Sequence, residues 1–447
     1  MNLNIGFVSL GCDKNRIDSE IMLSKLSKEG YKIVNDEKEA DIIIINTCGF
    51  INSAKEESIN TILEMAENKK TGRCKLIIVA GCMAERYKGE LLEEMPEIDA
   101  VVGTGNYYDI CNIVKEALSG KYGIVKTDNL NYNFNYEERI LTTPKHYAYI
   151  KIAEGCDNQC SYCIIPKLRG KFRSRDMDSI IHEAKELSKK GVKEIILVAQ
   201  DTTMYGVDIY GKRMLPQLLK NLEAIEEIQW IRVMYSYPEK ISDELIETIA
   251  KSNKICHYFD IPIQHISNNI LKQMKRASSS EEIITKINNI RNKVPDAVIR
   301  TSLIVGFPGE TEEDFNKLKQ FLMDYKLDRV GVFTYSIEKD TIAAKMKDQI
   351  DDDIKNKRKD ILMKLQSEIS FNKNKEQIGK IIDVIIDGKT KNNQYYGRTY
   401  KDAPEIDQQV FINCNDNKID IGTIIKVKII KAYTYDLIGV VYDESCK

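Results

Sequence analysis

Short apolar runs alternate with amphipathic stretches along most of this chain, and this alternation restricts the fold more than any other feature. Between residues 4 and 120 it predicts three strands, each followed by a helix: strands at 5–10, 41–46 and 76–80, and helices at 18–29, 54–68 and 85–95. The strands are apolar over nearly their whole length, which is typical of a parallel sheet covered on both faces. Residues 1–125 are therefore predicted to form a small doubly wound α/β domain.

A second, longer series of the same kind follows a connector. Residues 128–144 lose the periodicity and end at a proline, as linkers do. Six further strands are then predicted, near residues 149–153, 194–199, 230–235, 258–262, 299–305 and 329–334. Six βα units with right-handed crossovers are enough for a partial barrel but not for the full eight. We assign residues 142–371 to this (β/α)6 partial barrel.

The last part of the chain changes character. A helical stretch rich in Lys and Asp covers residues 351–374, after which the helical period disappears. Short alternating runs follow, separated by turn residues that include the Asn-rich segment 415–417; they lie at 381–386, 410–413, 424–430 and 438–442. This pattern predicts a small antiparallel β-barrel at residues 374–442.

Composition narrows the setting of the protein. A chain of 447 residues that is 43% hydrophobic and 30% charged has enough material for several globular cores. Its net charge of -2 argues against bulk attraction to nucleic acid or to an anionic membrane. The N-terminus does not resemble a signal peptide, and no apolar run approaches the length of a membrane span. We therefore expect a cytoplasmic protein whose 11 cysteines are metal ligands or catalytic thiols rather than disulfides.

Three of these cysteines stand close together, directly after the first predicted barrel strand. Cys156, Cys160 and Cys163 form a C-x3-C-x2-C run in the sequence EGCDNQCSYC. Soft thiolate ligands on one loop suit an iron–sulfur cluster, and three ligands leave one iron of a four-iron cube open for a substrate or cofactor. The alternative is a structural zinc site, which normally requires a fourth Cys or His at matching spacing. The nearest histidine, His146, lies ten residues before Cys156 across a strand.

Three other cysteines are distant in sequence but equivalent in predicted structure. Cys12, Cys48 and Cys82 each follow a predicted parallel strand of the first domain, beside Gly11, Gly49 and Gly81. The carboxyl ends of parallel strands open on one edge of the sheet, so the three thiols are expected to converge there. A single such cysteine would more often be a buried structural residue. Three at equivalent positions favour a second cluster, whereas the remaining five are interpreted as ordinary residues: Cys74, Cys111, Cys256, Cys414 and Cys446.

The cysteine run at residues 156–163, with Tyr162 before its last cysteine, resembles the radical S-adenosylmethionine superfamily. Over essentially the whole chain, the sequence is similar to the methylthiotransferases of that superfamily. The matching stretches are VSLGCDKNRIDSE (8–20), NTCGFINSAKEESI (46–59), EGCDNQCSYCIIPKLRGKFRSR (154–175), AQDTTMYG (199–206) and GRTYKDAPEID (397–407). This resemblance implies a flavodoxin-like N-terminal domain, a radical S-adenosylmethionine core built on the partial barrel, and a C-terminal barrel of the TRAM type.

The resemblance also implies a mechanism and its cofactors. Two 4Fe-4S clusters and S-adenosyl-L-methionine are expected, with Cys156, Cys160 and Cys163 holding the cluster that generates an adenosyl radical. Cys12, Cys48 and Cys82 would hold the cluster that supplies sulfur, methylated beforehand by a second S-adenosyl-L-methionine. An external electron donor such as flavodoxin or ferredoxin is required. No individual catalytic side chain is predicted, because the protein's own work is to align the clusters and the substrate and to exclude water.

Two branches of the family differ in substrate. The chain looks most like the branch that methylthiolates the β-carbon of an aspartate in small-subunit ribosomal protein S-12. The branch that modifies an adenosine of tRNA typically has Gln-Met-Asn after its first cysteine, where this chain has Asp13-Lys14-Asn15. Asp13 also departs from the proline usual in the ribosomal-protein branch. The tRNA enzyme remains an alternative, as does a non-catalytic protein that uses its cysteines to bind metal or RNA.

The charge of the third domain favours the ribosomal-protein branch. An RNA-binding barrel should be basic, yet residues 374–447 contain eleven Lys+Arg and eleven Asp+Glu. We expect the acidic segment 402–407 to be exposed and to suit a basic ribosomal protein, so that nucleic acid is not required. The alternative is that the balanced charge reflects ordinary variation of surface charge between domains.

Several polar residues at predicted strand ends are candidates for contact with the cofactor. With Tyr162 they form the set Gln200, Asp201, Thr202, Gln264 and Arg300. His265 is more often a core residue than a ligand, and the glycine-rich segment 305–311 is interpreted as a turn beside the adenosyl group. A basic run follows the cysteine loop and either binds an anionic group or forms a solvated face; it consists of Lys167, Arg169, Lys171, Arg173 and Arg175.

Overall fold

The N-terminal part of the molecule is a six-stranded parallel sheet with helices on both faces. The computed structural model describes residues 3–132, 135–413 and 419–442. Its first strands are β1 (Asn4–Ser9), β2 (Lys32–Val34), β3 (Ile42–Thr47), β4 (Leu76–Gly81), β5 (Ala100–Val102) and β6 (Ile124–Lys126). The helices between them are α1 (Asp13–Lys28), α2 (Asn52–Ala66), α3 (Asn68–Thr71), α4 (Cys82–Tyr87), α5 (Glu90–Glu94) and α6 (Ile110–Leu118).

The order of strands in this sheet is β2-β1-β3-β4-β5-β6, and every pairing is parallel. This is the flavodoxin-like order with one strand added, which confirms the expected fold. The central strands β3 and β4 are buried along their whole length, as their continuous apolar sequences predict. Three strands of only three residues were not predicted, and the predicted helix 85–95 is divided at Lys88, whose φ is 49°.

The second part of the chain forms the partial barrel. Its strands are β7 (Tyr147–Lys151), β8 (Ala153–Glu154), β9 (Arg173–Ser174), β10 (Glu194–Val198), β11 (Trp230–Val233), β12 (Tyr258–Asp260), β13 (Val298–Val305) and β14 (Arg329–Thr334). Its helices are α7 (Ile165–Arg169), α8 (Met177–Lys189), α9 (Val207–Tyr210), α10 (Leu215–Glu223), α11 (Asp243–Ala250), α12 (Asn268–Gln273), α13 (Ser280–Lys293), α14 (Glu312–Tyr325) and α15 (Asp352–Lys375). Short 3-10 helices lie in this part at Thr202–Met204, Pro238–Lys240 and Ala343–Lys345, and in the N-terminal part at Glu37–Glu39 and Tyr107–Asp109.

The six main strands of this part are parallel and lie in the order β7-β10-β11 and β12-β13-β14. A bridge between Ile231 and Ile255 joins the two groups of three into one curved wall. The large apolar core lies between this wall and the helices outside it, and it includes Ile195, Leu197 and Leu303. The six predicted strands are therefore confirmed. Among the described residues, no helix is both long and apolar enough to cross a membrane.

The third part is a closed barrel of five strands. They are β15 (Ile381–Lys389), β16 (Tyr395–Arg398), β17 (Val410–Asn413), β18 (Ile424–Ala432) and β19 (Leu437–Val441), joined in the order β15-β16-β17-β19-β18. The barrel is confirmed, with one difference: β17 and β19 pair in parallel, whereas the other pairings are antiparallel. The short strand β16 was not predicted, and the predicted turn at 415–417 lies outside the described residues.

The third part covers the amino ends of the partial-barrel strands. Glu194, the first residue of β10, forms an ion pair with Arg398 at 2.8 Å. Tyr258, the first residue of β12, donates from its hydroxyl to Asp407 at 2.6 Å. Arg329, the first residue of β14, pairs with Asp402 at 2.6 Å. The carboxyl ends of the same strands therefore remain for a functional site, as is usual in barrels of this kind.

These contacts correct the interpretation of the acidic segment 402–407. Asp402 and Asp407 are not free on the surface, because they bind arginine and tyrosine side chains of the partial barrel. The exposed surface of the described part of this domain is instead richer in lysine than in carboxylate. The exposed lysines are Lys375, Lys380, Lys389, Lys391, Lys426, Lys428 and Lys431, and the exposed carboxylates are Glu376, Asp383, Glu405 and Asp420. Among the described residues of this domain, the exposed lysines therefore outnumber the exposed carboxylates.

Candidate active site between two cysteine groups

The first cysteine group lies at the carboxyl edge of the N-terminal sheet. Cys12, Cys48 and Cys82 follow β1, β3 and β4, which are adjacent strands. The strands are in register, with Ser9 beside Asn46 and Thr47 beside Gly81, so the residues after them stand at one level. Burial raises the pKa of the Cys82 thiol to about 12, and the neighbouring thiols of Cys12 and Cys48 add to the effect. The three cysteines therefore stand at the same edge of the sheet, after three adjacent strands.

Glycine is required in the backbone at two points of this group. Gly81 has a φ of 94°, and a Cβ added there would lie 2.2 Å from Oδ1 of Asn46. Gly11 has a φ of 88°, and its added Cβ would lie 3.0 Å from Cβ of Cys48. Both positions combine a left-handed conformation with a close neighbour, which side chains tolerate poorly. The close approach of the three loops depends on these residues.

The second cysteine group lies on the loop between β8 and α7, above the carboxyl end of the partial barrel. Hydrogen bonds to sulfur shape it: Asn158 donates to Sγ of Cys156 at 3.3 Å, and the amide of Ile165 to Sγ of Cys163 at 3.5 Å. Arg276 lies with Nη1 3.8 Å from Sγ of Cys160. The three cysteines line a cavity of about 550 Å³ together with other residues of this loop, residues of α7 and the segment after it, and Asp340, Thr341 and Ile342.

Both groups have the donor set that an iron–sulfur cluster requires. Each offers three thiols that are free of disulfides, and hydrogen bonds to sulfur are the contacts that tune metal thiolates. Among the described residues, no three His, Cys, Asp or Glu side chains surround the position of a single metal ion. A four-iron cluster makes a different demand, because each thiolate binds its own iron. The residues present therefore fit a cluster of this kind in each group.

A buried network of charges joins the two cysteine groups. Arg169, at the end of α7, donates from Nη1 to both carboxylate oxygens of Glu154 at 3.0 Å and from Nη2 to Asp18 at 3.2 Å. Lys151 donates to Glu154 at 2.7 Å and also contacts Asp18. Arg169 further donates to Oδ1 of Asn15, which itself lies 3.7 Å from Sγ of Cys82. Two cations thus balance two carboxylates between the two groups.

The network holds Glu154 in its ionised form. Burial alone would raise the pKa of this carboxyl group, but Arg169 and Lys151 outweigh burial and hold the pKa below its ordinary value. Glu154 is two residues before Cys156, and Asp18 is on the helix that follows Cys12. The chain segments that bear the two cysteine groups are therefore connected by charge-assisted hydrogen bonds.

Three predicted cofactor residues follow β10. Asp201 accepts hydrogen bonds from Lys240 at 2.7 Å and from Asn158 at 2.9 Å, and so supports the cysteine loop. Gln200 donates to Glu154 at 2.9 Å, while its Oε1 is buried and lacks a partner within the described structure. Thr202 donates its hydroxyl to the carbonyl of Met234 at 2.7 Å, a contact that joins neighbouring strand ends. Gln200 is thus the one of the three with an acceptor left for a bound molecule.

The other predicted cofactor residues lie at different levels of the barrel. Tyr162 packs beside an apolar cluster that includes Met274 and Phe307, and burial and then Cys160 raise its pKa. Gln264 has a φ of 68°, and its backbone pairs with β13. Arg300 lies lower, bound to Asp260 at 2.7 Å and 3.7 Å from Asp407 of the third part. The contacts of Arg300 thus join the barrel to the third part rather than to the cysteine loop.

The basic run after the cysteine loop divides into two kinds of residue. Arg169 and Arg175 are buried, the latter in a contact with Glu183. Lys167 and Lys171 are exposed at the rim of the cavity beside the cysteines. Arg173 lies with its guanidinium carbon 5.2 Å from the ring centre of Tyr132. Neither a single solvated face nor a single anion site describes the whole run.

Two further predictions concern single elements. His265 accepts from the amide of Ser267 at 2.9 Å, and burial lowers its pKa to about 3, so it is a neutral core residue with Nε2 unpartnered in the described structure. In the segment 305–311, Glu310 accepts from the amide of Phe307 at 3.2 Å, and burial raises its pKa to about 7. Cys74 and Cys256 are buried and Cys111 half-buried, whereas Cys414 and Cys446 lie outside the described residues.

Sequence reasoning missed two contacts near the cysteine groups, and the first involves Lys14. Nζ of Lys14 lies 3.5 Å from the ring centre of Tyr235 and 2.9 Å from Oδ1 of Asp13. Tyr235 follows β11, so the contact joins helix α1 to the interior of the partial barrel. It also missed the pairing of Glu154 with Arg169, although both residues stand within motifs that contain the cysteines. No sequence signal marks the approach of Lys14 to Tyr235, 221 positions apart.

Family models match each of the three parts. Residues 4–103 match an uncharacterized protein family, UPF0004, residues 150–322 match the radical SAM superfamily, and residues 378–441 match the TRAM domain. Among solved structures, the radical S-adenosylmethionine methyltransferase TsrM from Kitasatospora setae, with cobalamin and a [4Fe-4S] cluster bound, is similar. Its TM-score is 0.56 at 13% identity, over 75% of each chain, which shows a shared fold.

Curated relatives are far more similar. The ribosomal protein uS12 methylthiotransferase RimO of Clostridium perfringens is 55% identical over 444 residues, which are 99% of each chain. The protein of the same name from Clostridioides difficile is 53% identical over 438 residues, or 98% of each chain. Identity of this level over the full length extends across all three parts of the molecule and both cysteine groups. The chain belongs to the RimO family of ribosomal protein uS12 methylthiotransferases.

Proposed function

We propose that this protein transfers a methylthio group to the β-carbon of an aspartate in ribosomal protein uS12. The observation that carries the proposal is the joining of two three-cysteine groups by one buried charge network, in a chain that belongs to the RimO family. Replacement of a hydrogen on an unactivated carbon is beyond ordinary acid–base catalysis. It requires a radical source and a sulfur source in one site, and two separate groups of thiols suit those two tasks.

The six cysteines are the proposed ligands. Cys156, Cys160 and Cys163 would hold one 4Fe-4S cluster, and Cys12, Cys48 and Cys82 the other. When bound, the first cluster with S-adenosylmethionine supplies the radical that removes the hydrogen atom, and the second supplies the sulfur. Gln200 and Tyr162 are the best placed of the candidate cofactor contacts, since one has an unpartnered buried oxygen and the other lies beside the cysteine loop.

The other side chains of the site position these groups. Asp201 fixes the loop between Cys156 and Cys160 through Asn158 and Lys240. Arg169, Glu154, Asp18 and Lys151 fix the N-terminal domain against the barrel. Alignment of two reacting centres by rigid contacts of this kind is how an enzyme lowers the entropy cost of bringing them together. An external reductant such as flavodoxin or ferredoxin would deliver electrons, in the cytoplasm.

The experiment uses the full chain, reconstituted anaerobically with iron and sulfide. We expect about eight irons per chain, the content of two four-iron clusters. The loaded protein is incubated with S-adenosylmethionine, a reductant and either uS12 or tRNA, and the products are analysed by mass spectrometry. A methylthio group on an aspartate of uS12 supports the proposal, and its appearance on tRNA alone refutes it. Zinc, or no bound metal, would favour a non-catalytic protein that uses its cysteines structurally.

One observation keeps the tRNA enzyme as a second candidate. In its described residues, the C-terminal barrel exposes more lysines than carboxylates, because Asp402 and Asp407 are used in contacts with the partial barrel. Lys431 lies 4.6 Å from the ring centre of the exposed Tyr433, so this surface combines positive charge with an aromatic ring, as surfaces that bind RNA often do. The tRNA arm of the experiment tests this candidate directly.

A further inference from the structure

Lys14 is a buried cation at the junction of the two domains that bear the cysteines. Helix α1 begins at Asp13, directly after Cys12, and the side chain of Lys14 is only 7% exposed. Its Nζ lies 3.5 Å from the ring centre of Tyr235 in the partial barrel. The ammonium group thus stands beside the first cysteine group and reaches the interior of the barrel.

The partners of Lys14 do not use its hydrogen-bonding capacity. An ammonium group has three N–H donors. Asp13, its neighbour in sequence, is the one acceptor that the described residues provide, at 2.9 Å, and the Tyr235 hydroxyl approaches the same carboxylate oxygen at 3.4 Å. A lysine side chain carries an ammonium cation at neutral pH. The described residues leave two of the three donors of this cation without an acceptor.

Tyr235 is held in place by the barrel. Its backbone has a φ of 59°, which is uncommon for a residue with a side chain. Its amide donates to Oδ2 of Asp260 at 2.9 Å, and Asp260 also binds Arg300. The ring over Lys14 is thus fixed by contacts within the barrel. The ammonium of Lys14 is thus held against a rigid aromatic ring, two residues after Cys12.

We propose that Lys14 binds the side-chain carboxylate of the substrate aspartate, which displaces the carboxylate of Asp13 from the ammonium group. The inference rests on the proposed function, because that function places the reaction on a carbon bonded directly to a carboxylate. An ammonium–carboxylate contact of about 2.8 Å would hold the β-carbon one bond beyond the carboxylate. Since Lys14 is two residues from Cys12, that carbon would lie beside the sulfur-supplying group. Lys14 is thereby a specificity-determining residue.

The test measures binding separately from turnover. Full-length protein with both clusters is titrated, without reductant, with uS12 and with uS12 in which the modified aspartate is asparagine. Wild type should bind the aspartate form about 10- to 100-fold more tightly, the ratio that loss of a hydrogen bond to a charged group produces. Lys14→Met should remove this preference, and Lys14→Arg should retain part of it. Lys88→Met, at an exposed ion pair with Asp128, is the matched control and should leave the preference intact.

A second variant has the opposite expected effect. Asp13→Asn removes the competing charge, so it should tighten binding of the aspartate form several-fold while leaving the asparagine form unchanged. This result would support the inference even if Lys14→Met failed to fold. An unchanged preference in Lys14→Met, or no tightening in Asp13→Asn, would overturn the inference. Failure of wild-type protein to modify uS12 would instead refute the proposed function, so the two failures can be told apart.

Discussion

The two cysteine groups are built in different ways. Cys12, Cys48 and Cys82 come from the ends of three strands and are brought together by the register of a parallel sheet. Cys156, Cys160 and Cys163 come from one loop of eight residues, shaped by hydrogen bonds to sulfur and by Asp201 through Asn158. The first group therefore depends on the whole N-terminal domain, and the second depends on a loop and its immediate supports. Variants can separate these two dependences.

The largest expected effect comes from removing one group at a time. Replacement of Cys156, Cys160 and Cys163 by alanine should abolish cleavage of S-adenosylmethionine, because the iron that binds the cofactor is lost. Replacement of Cys12, Cys48 and Cys82 by alanine should leave cleavage intact and abolish sulfur transfer. Each triple variant should retain about four of about eight irons. The measurements are iron content, 5′-deoxyadenosine by chromatography, and the mass of uS12.

The control for this comparison is a cysteine outside both groups. Cys111 is half-buried on α6, and Cys111→Ala should leave iron content and both reactions at the wild-type level. If both triple variants still cleave S-adenosylmethionine, the roles assigned to the two groups are wrong. If either variant loses all its iron, the two cysteine groups do not bind iron independently.

The second prediction breaks the connection between the groups. Arg169→Met removes the guanidinium that binds Glu154 and Asp18, and leaves Lys151 as the cation that contacts both buried carboxylates. Removal of one partner from a buried ion pair typically costs about 3–5 kcal/mol. We expect a loss of this size in the free energy of unfolding, measured in urea by the fluorescence of Trp230, the single tryptophan of the chain.

A double variant tests whether uncompensated charge is the cause. Glu154→Gln in the Arg169→Met background removes one of the two carboxylates left behind. The double variant should therefore be less destabilised than the sum of the two single variants. Simple additivity would show that Arg169 acts through packing and not through charge. Lys88→Met serves again as the exposed control, since surface ion pairs contribute little.

The features predicted from sequence are those set by strand periodicity. β3 and β4 are continuous apolar runs, and the alignment of their carboxyl ends follows from parallel pairing alone. For this reason the grouping of Cys12, Cys48 and Cys82 could be inferred from residues far apart in the chain. The edge strand β2, with only three residues, leaves no periodic signal of its own, and it pairs along the longer strand β1.

Contacts between the domains could not be predicted. Asp402 looks like a surface residue in sequence, and only the docking of the third barrel on the partial barrel shows its use by Arg329. Arg300 looks like a strand-end residue, yet the bounds of β13 put it near the amino end. Lys14 contacts Tyr235 only because α1 docks on the barrel. Such contacts depend on rigid-body placement, which local sequence patterns do not encode.

The third prediction concerns the backbone of the first group. Gly81→Ala would place a Cβ 2.2 Å from Oδ1 of Asn46 in a left-handed conformation, and we expect a cost of about 3 kcal/mol in the free energy of unfolding. Gly30 has a similar φ of 89° but open space around it, so Gly30→Ala isolates the conformational cost, about 1 kcal/mol. Gly81→Ala should also lose iron from the first group alone. Equal effects of the two variants on stability and iron would show that the close approach is unimportant.

The last prediction distinguishes the second region through pH, with an effect of about 1.4 kcal/mol on stability for each pH unit. His265, at the carboxyl end of the partial barrel, has a pKa lowered to about 3 by burial, against an ordinary value of 6.5. Between these values the unfolded chain binds a proton that the folded chain does not, so stability is complete above 6.5 and falls on acidification by about 1.4 kcal/mol per pH unit. His265→Asn should make urea midpoints, followed by Trp230 fluorescence, less dependent on pH in this range. The exposed His182, replaced in the same way, should leave the dependence unchanged. A slope that persists in His265→Asn would come from other titratable groups of the chain, and His265 would then not be the group that makes the barrel sensitive to acid.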